Sequence, residues 1–477
     1  MLLSRLAQAA GAAVKGADTE IVSVEYDSRR VRQGSLFCCC VGMLFDGHSF
    51  AGKAVENGAS ALLVERELPF DVPQIVVPNA RKAMAEVASA FYGNPQNEMR
   101  MVGVTGTNGK TTTTYMVKAV AEHAGMKVGL IGTIRNMIGR EALPTERTTP
   151  ESVDLFRLLR QMADAGCDIV VMETSSHALE QYRVHGITFD VGLFTNLTQD
   201  HLDYHKSFDN YLKAKKILFH NSRKAIVNVD DPYAGRMTDG LTIPIVRFGV
   251  RENADISASN IDITTKGVQF DLHTPEGDVL MRVQTPGLFS VFNAMGAVAV
   301  MQALGFRLSL IKEGLESLTS VSGRLESVPT DRDFSVFVDY AHTPDALENV
   351  LKTVREFAKG RVISVFGCGG DRDRAKRPIM GEIAGRFSEL VVITSDNPRT
   401  EEPMSIIASI EEGVRKSGTR YAVIESRRDA IRYALTEARE NDLIMIAGKG
   451  HENYQEINGT KYHFDDKEIV EELLKEV

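Results

Sequence analysis

The sequence predicts an α/β fold in three domains, and three observations carry that expectation. The chain has 477 residues, too many for one ordinary core, and a length of ~150 residues per domain gives about three. Short apolar runs alternate with helical stretches along most of it, the rhythm of mostly parallel sheets. Many of those runs close on glycine, at the strand ends where α/β ligand sites form.

Composition narrows the class. Hydrophobic content of 43% and charged content of 25% are ordinary for a soluble globular protein. A net charge of −9, with no block of basic residues, argues against a nucleic-acid partner. There is no run of 18 apolar residues, so no membrane partner is expected. The five cysteines are Cys38, Cys39, Cys40, Cys167 and Cys368; an odd number without a CxxC pair reads as a reduced, cytoplasmic protein. "FCCCV" is expected to be small apolar filler in a strand, and "MLLSRLAQAAGAA" a first amphipathic helix rather than a signal peptide.

In chain order, residues 1–98 carry strand runs "SLFCCCVG", "ALLVE" and "QIVV" and the helix "ARKAMAEVASAFY", closed by the turn "GNPQ". Residues 99–328 start at "MRMVGVTG" and continue through "KVGLIGT", "DIVVMET", "VGLFTN" and "KAIVNVDD". Between 254 and 286 the alternation turns to period two, which suggests antiparallel strands added to that sheet. Residues 329–477 repeat the strand–helix rhythm from "FSVFVDYAH" to "DLIMIAGKG" and are expected to form a Rossmann-like α/β domain. No internal repeat interrupts the three units.

The chemistry starts at "VTGTNGKTTTT". Gly106, Gly109, Lys110 and Thr111 have the spacing of the end of a phosphate-binding loop between a strand and a helix. Glycines let backbone N–H groups reach phosphate, Lys110 meets the β/γ oxygens, and Thr111 holds Mg²⁺. Val104 stands where the full GxxxxGK[ST] pattern has its first glycine. Glu173, in "VVMETSSHALEQYRV", falls at the carboxyl end of a buried strand. "NLTQDHLDYH" offers Asp200, His201, Asp203 and His205, readable as a zinc cluster, as part of a Mg²⁺ site, or as polar residues capping a helix.

"SFDNYLKAKKILF" has helical periodicity, with Phe208, Tyr211, Leu212, Leu218 and Phe219 on one apolar stripe. Lys215 lies in the middle of that stripe. A buried ammonium is costly unless paired or neutral. Lys215 is therefore a snorkelling or ion-paired side chain, or a neutral amine able to take up CO₂ as an anionic carbamate.

Together "GTNGKTTT", "ETSSHALEQYRV", "TNLTQDHLDYH", "YLKAKKILF", "SGRLE", "DYAHTPD", "GCGGDRDRAKRPIM", "SDNPRTEEP" and "GKGHE" resemble the Mur ligase family over essentially the whole chain. The resemblance implies an N-terminal domain for a sugar nucleotide, a central P-loop ATPase and a C-terminal domain for an amino acid. It implies ATP bound by Gly106, Thr107, Asn108, Gly109, Lys110, Thr111 and Thr112, with Asn293, Arg324, Asp339 and His342 around the nucleotide. Mg²⁺ ligands are implied at Thr111, Glu173, His201 and a carbamylated Lys215, which with Lys110 form the catalytic set. The nucleotide substrate implied is UDP-N-acetylmuramoyl-L-alanyl-D-glutamate, contacted by Ser28, Met43, Leu44, Phe45, Thr148, Thr149, Ser175, Gln181 and Arg183. Ser290 departs from the family, many members of which carry asparagine there.

The resemblance further implies amide formation through an acyl phosphate, in a cytoplasmic monomer. The "DNPR" turn implies meso-2,6-diaminopimelate as the incoming amine, held by Arg372, Asp396, Asn397, Pro398, Arg399, Gly448 and Glu452. Arg399 would fork onto the distal carboxylate, which L-lysine lacks. Two alternatives stand beside this reading: the same ligase adding L-lysine, and a catalytically silent ATP-binding regulator.

Overall fold

The structure is a computed structural model and describes residues 1–42, 45–198, 200–251 and 254–476, without the side chains of Leu202 and Asp203. Met43 and Leu44, two of the expected substrate contacts, lie outside the described residues. The chain gathers into two compact units: Met1–Ser257 with Met295–Gly314, and Ala258–Ala294 with Leu315–Val477.

The first unit holds two sheets. The N-terminal one has five strands in the order Val14–Lys15, Gln74–Val76, Ala59–Val64, Ser35–Cys38 and Ser23–Glu25, parallel except for the first pair. The first helix, Leu3–Ala9, buries Leu3, Leu6 and Ala7, the apolar face its sequence shows. Cys38 and Cys39 fill this sheet as small apolar residues; burial pushes the Cys39 and Cys40 thiols up to about 12.

In the larger sheet, the strand Arg100–Thr105 runs parallel between Ile169–Glu173 and Val191–Phe194. Val128–Ile131 lies beyond the former, and Ala225–Asn228 and Ile245–Gly249 beyond the latter, all parallel. Successive strands are thus added to opposite sides of Arg100–Thr105. Its carboxyl end is the switch point where open α/β sheets bind ligands. One core runs through Leu3, Met84, Met101, Phe156, Val170 and Phe189 and joins the two sheets. Each such fully buried side chain stabilises by ~2 kcal/mol.

The period-two stretch is only partly antiparallel. Gly267–Thr274 and Gly277–Val283 pair antiparallel, from Val268 opposite Val283 to Thr274 opposite Gly277. Ile256–Thr264, however, begins parallel to Ile245–Gly249, with Phe248 opposite Ile256. Alternation reports that a strand has one wet and one dry face, and both strand directions share it.

The second unit is built on a six-stranded sheet, in the order Glu326–Val328, Ser335–Asp339, Leu443–Ala447, Val362–Phe366, Leu390–Ile393 and Arg420–Val423. All neighbours are parallel except the first pair. Separate cores cover its faces, one through Phe337, Leu351, Met380 and Ile410, the other through Val338, Ile363, Ile431 and Ile446. Helices Lys376–Phe387 and Pro403–Ser417 approach so closely that a Cβ on Gly413 would collide with the Pro378 carbonyl. The parallel strands end along one edge, which carries the loops after Asp339, Phe366, Ile393 and Ala447. Among the described residues, no helix is long and apolar enough to cross a membrane.

Candidate active site

The phosphate loop closes the strand Arg100–Thr105 and opens the helix Lys110–His123. Gly109 has φ +84° and Gly106 φ +150°, and a Cβ on Gly106 would overlap Thr195 Oγ1. Only glycine fits there. The loop is braced from the neighbouring strand end: the Asn108 N–H donates to Asn196 Oδ1 at 2.9 Å, and Thr195 Oγ1 donates to the Asn108 carbonyl at 2.6 Å. Lys110 Nζ folds onto its own loop, donating to the carbonyls of Gly106 (2.9 Å) and Thr107 (2.8 Å). Thr112 is buried in the first helical turn.

Glu173 is 1% exposed at the end of its strand. Its Oε1 accepts from Thr111 Oγ1 at 3.0 Å and from the Thr133 N–H at 2.9 Å, while Oε2 accepts from Thr133 Oγ1 at 3.0 Å. The carboxylate is therefore joined to the phosphate loop through the threonine expected to face a metal.

Lys215 lies in the helix Phe208–His220 and is 1% exposed. Its Nζ donates to the Gly106 carbonyl at 2.8 Å and sits 4.4 Å from the centre of the Tyr211 ring. Two lysines, 110 and 215, thus share one carbonyl oxygen. Burial first, and the Lys110 ammonium second, push the Lys215 amine well below its usual range, against a weaker pull from Asp200. Full burial excludes snorkelling. The downward shift favours the neutral amine, the form that can attack CO₂, over an ion-paired ammonium.

Along the chain, His201 lies between the strand Val191–Phe194 and the helix Phe208–His220. Its Nε2 lies 3.4 Å from Asp200 Oδ2, and its ring centre is 4.8 Å from that of His177 and 6.3 Å from that of Tyr211. His205 is buried, with Nε2 2.9 Å from Ser176 Oγ and Nδ1 3.1 Å from Glu180 Oε2. Among the described residues no three His, Cys, Asp or Glu side chains converge on a metal position. The donor set nevertheless suits Mg²⁺: the Thr111 hydroxyl and the Glu173 carboxylate are hard oxygens already in contact, and a carbamate on Lys215 would add another.

The expected sugar-nucleotide contacts gather beside Glu173. Thr149 Oγ1 donates to the Glu173 carbonyl at 2.8 Å and accepts from the Ser175 N–H at 3.1 Å. Arg183 donates to the Thr149 carbonyl (3.0 Å) and to Gln181 Oε1 (2.8 Å), and Thr148 Oγ1 lies 3.0 Å from Thr133 Oγ1. A cavity of about 290 Å³ adjoins them, lined by Tyr26, Arg30, Arg147, Glu151, Asp154 and Arg157 among others. In the N-terminal sheet region, the Ser28 carbonyl accepts from Asn57, and Phe45 is 69% exposed.

In the second unit, Asp339 accepts from the N–H groups of Leu325 and Ala341, and burial raises its pKa against the pull of Arg324. Arg324 lies over the Tyr340 ring at 5.5 Å, and His342 Nδ1 is 2.8 Å from the Tyr340 carbonyl. Asn293 is buried. Ser290, fully buried, turns its hydroxyl to the Pro286 carbonyl at 3.2 Å.

The "DNPR" turn follows the strand Leu390–Ile393. Arg399 adopts φ +52° and is zipped to the hairpin strand Tyr454–Ile457: its N–H donates to the Glu456 carbonyl at 3.0 Å. Its Nη1 donates to the Gly370 carbonyl at 2.8 Å and its Nε lies 3.3 Å from Glu456 Oε2. Asn397 Nδ2 donates to Glu452 Oε2 at 2.8 Å. Gly448 has φ +118° and faces Asp396 Oδ2, which any Cβ would crowd. Pro398 packs its carbonyl against Gly370, and Arg372 is exposed, its Nη1 donating to the Asp371 carbonyl. Sequence reasoning missed Thr133, Glu456 and Lys449, all of which brace the expected residues. The signal for Lys449 was present, inside "GKGHE".

A phosphate loop tied to a buried acid, at the carboxyl end of a parallel strand, defines a nucleotide-binding α/β protein. Family models match in order along the chain: "Mur ligase family, catalytic domain" at 20–92, "Mur ligase middle domain" at 104–301 and "Mur ligase, glutamate ligase domain" at 323–450. The chain is 47% identical to a UDP-N-acetylmuramoyl-L-alanyl-D-glutamate–2,6-diaminopimelate ligase of Clostridium botulinum, with 97% of each chain covered. It is 49% identical to a ligase so named from Clostridium acetobutylicum, with 96% of each covered. A solved structure bearing that ligase name superposes with a TM-score of 0.71 at 34% identity, covering 96% of this chain and 95% of the other. The chain belongs to the Mur ligase family.

Proposed function

We propose that the chain is an ATP-dependent amide ligase that joins meso-2,6-diaminopimelate to UDP-N-acetylmuramoyl-L-alanyl-D-glutamate in peptidoglycan precursor synthesis. The observation that carries the reading is the contact of Thr111 with Glu173 at 3.0 Å, which ties a phosphate-binding loop to a buried carboxylate. The likeness to ligases so named supports the choice of substrates.

A free carboxylate is a poor electrophile because its leaving group would be oxide. ATP solves this by phosphorylating a D-glutamyl carboxylate, and the amine then displaces phosphate from the acyl phosphate through a tetrahedral intermediate. Lys110 turns from its loop carbonyls to the β/γ oxygens, and the Gly106–Thr111 backbone holds the phosphates in line. Thr111, Glu173, His201 and the Lys215 carbamate would hold Mg²⁺, which when bound supplies positive charge between two anions. Thr148, Thr149, Ser175, Gln181 and Arg183 orient the sugar-linked peptide, with Ser28 and Phe45 toward its uridine end. Asn293, Arg324, Asp339 and His342 keep, in this proposal, the nucleotide contacts that the likeness to Mur ligases implies. Domain boundaries after residues 98 and 328, a cytoplasmic location and a monomeric state belong to the same proposal.

The amine is selected by charge. Glu452 receives the distal ammonium and Arg399 the distal carboxylate, with Asp396, Asn397, Pro398, Arg372 and Gly448 shaping the turn. Losing the arginine–carboxylate pair costs ~1.5–3 kcal/mol, one to two decades of discrimination. Arg399→Ala is therefore expected to lower kcat/KM for meso-diaminopimelate by that factor and to leave L-lysine nearly unaffected. Equal use of L-lysine by the wild type, or unchanged preference in the variant, would remove Arg399 as the selector.

A further inference from the structure

Lys449 has no task in this scheme, yet it is 0% exposed in the loop after the strand Leu443–Ala447. An enclosed ammonium persists only where acceptors and anions surround it. Lys449 Nζ donates to Asn397 Oδ1 at 3.1 Å and lies 3.7 Å from Glu452 Oε2 and 5.5 Å from the centre of the Tyr454 ring. The Glu456 N–H donates to the same Asn397 oxygen at 2.9 Å. With two donors on Oδ1, the amide can turn only one way. Its Nδ2 must face Glu452, as it does at 2.8 Å.

Asn397 thereby joins three pieces of chain: the turn bearing Arg399, the loop bearing Glu452, and the hairpin strand bearing Glu456. Burial pushes Lys449 down while Asp396 and Glu452 pull it up, and burial followed by Asp396 raises Glu452. Without the ammonium, Asp396 and Glu452 would lose the cation they share.

We propose that Lys449 is a positioning residue for the incoming amino acid: through Asn397 it aims the Glu452 carboxylate at the distal ammonium and holds the hairpin strand against the turn that carries Arg399. This rests on the amino-acid site assigned above. The test uses full-length Lys449→Met and Lys449→Gln variants beside the wild type, with KM measured separately for meso-diaminopimelate, ATP and the UDP-sugar dipeptide. Lys449→Met is expected to raise KM for meso-diaminopimelate about tenfold, the scale of one lost hydrogen bond to a charged group, with the other two KM values unchanged. Lys449→Gln keeps a donor toward Asn397 and recovers part of the loss. It carries the test alone if the methionine variant does not fold, as judged by its melting profile. Three KM values rising together, or an unchanged KM for meso-diaminopimelate in a folded variant, overturns the proposal alone. A wild type that turns over no amino acid overturns the ligase reading and this proposal with it.

Discussion

Lys110→Ala is expected to lower kcat/KM by about three orders of magnitude, the scale of losing a preorganised charge partner at a phosphoryl-transfer centre. The melting temperature should stay within about 2 °C, because a partly exposed loop residue contributes little to the core. In the structure its ammonium donates to two carbonyls of its own loop, those of Gly106 and Thr107. Removing it leaves the Gly106 carbonyl still bonded to Lys215 and the Thr107 carbonyl for water to satisfy. The loop keeps its shape through Asn196 and Thr195, so phosphate binding by backbone amides survives while charge compensation is lost. Phosphate release and a thermal melt on one preparation measure both. Normal release by a folded variant would show that Lys110 does not touch the transferring phosphoryl group.

Lys215→Ala is expected to cost roughly 10–100-fold or more in activity, the usual effect of removing a metal-positioning group. Short carboxylic acids should restore part of it. Lys215 and Lys110 share the Gly106 carbonyl in a buried site, an arrangement that disfavours two ammonium ions. A neutral Lys215 amine adds to CO₂ with loss of a proton, giving an anion beside the Lys110 cation and turning repulsion into attraction. The alanine variant leaves a cavity next to Tyr211 and Gly106 that formate or acetate can enter with its own negative charge. Intact mass measured under CO₂-rich buffer checks the adduct. An unmodified Lys215 in fully active enzyme would refute the carbamate.

Much of this was legible in the sequence, for particular reasons. The parallel strands read correctly because both faces are buried, so each is a nearly continuous apolar run, as in "IVVME" and "LIMIA". Lys215 stood out because a helix has one dry face, and a charge at its centre breaks the pattern. The direction of Ile256–Thr264 was not legible, since alternation carries no direction. Nor was the clamp of Thr133 on Glu173, which joins residues 40 positions apart. Lys449 sits in a glycine-rich loop whose sequence does not show burial; Asn397, 52 residues earlier in the chain, comes against it together with Glu452 and Tyr454. The residues expected to touch ligand sit in dense motifs, while those that brace them are scattered.

The ligase reading is tested most directly by incubating the purified chain with ATP, Mg²⁺ and UDP-N-acetylmuramoyl-L-alanyl-D-glutamate, adding one amino acid at a time, and following phosphate release and product mass together. The account predicts one phosphate released per amide formed, a product heavier by meso-diaminopimelate less water, and at least about tenfold slower turnover with L-lysine. Phosphate release without a new amide, no turnover with any amino acid, or L-lysine preferred over meso-diaminopimelate would contradict it.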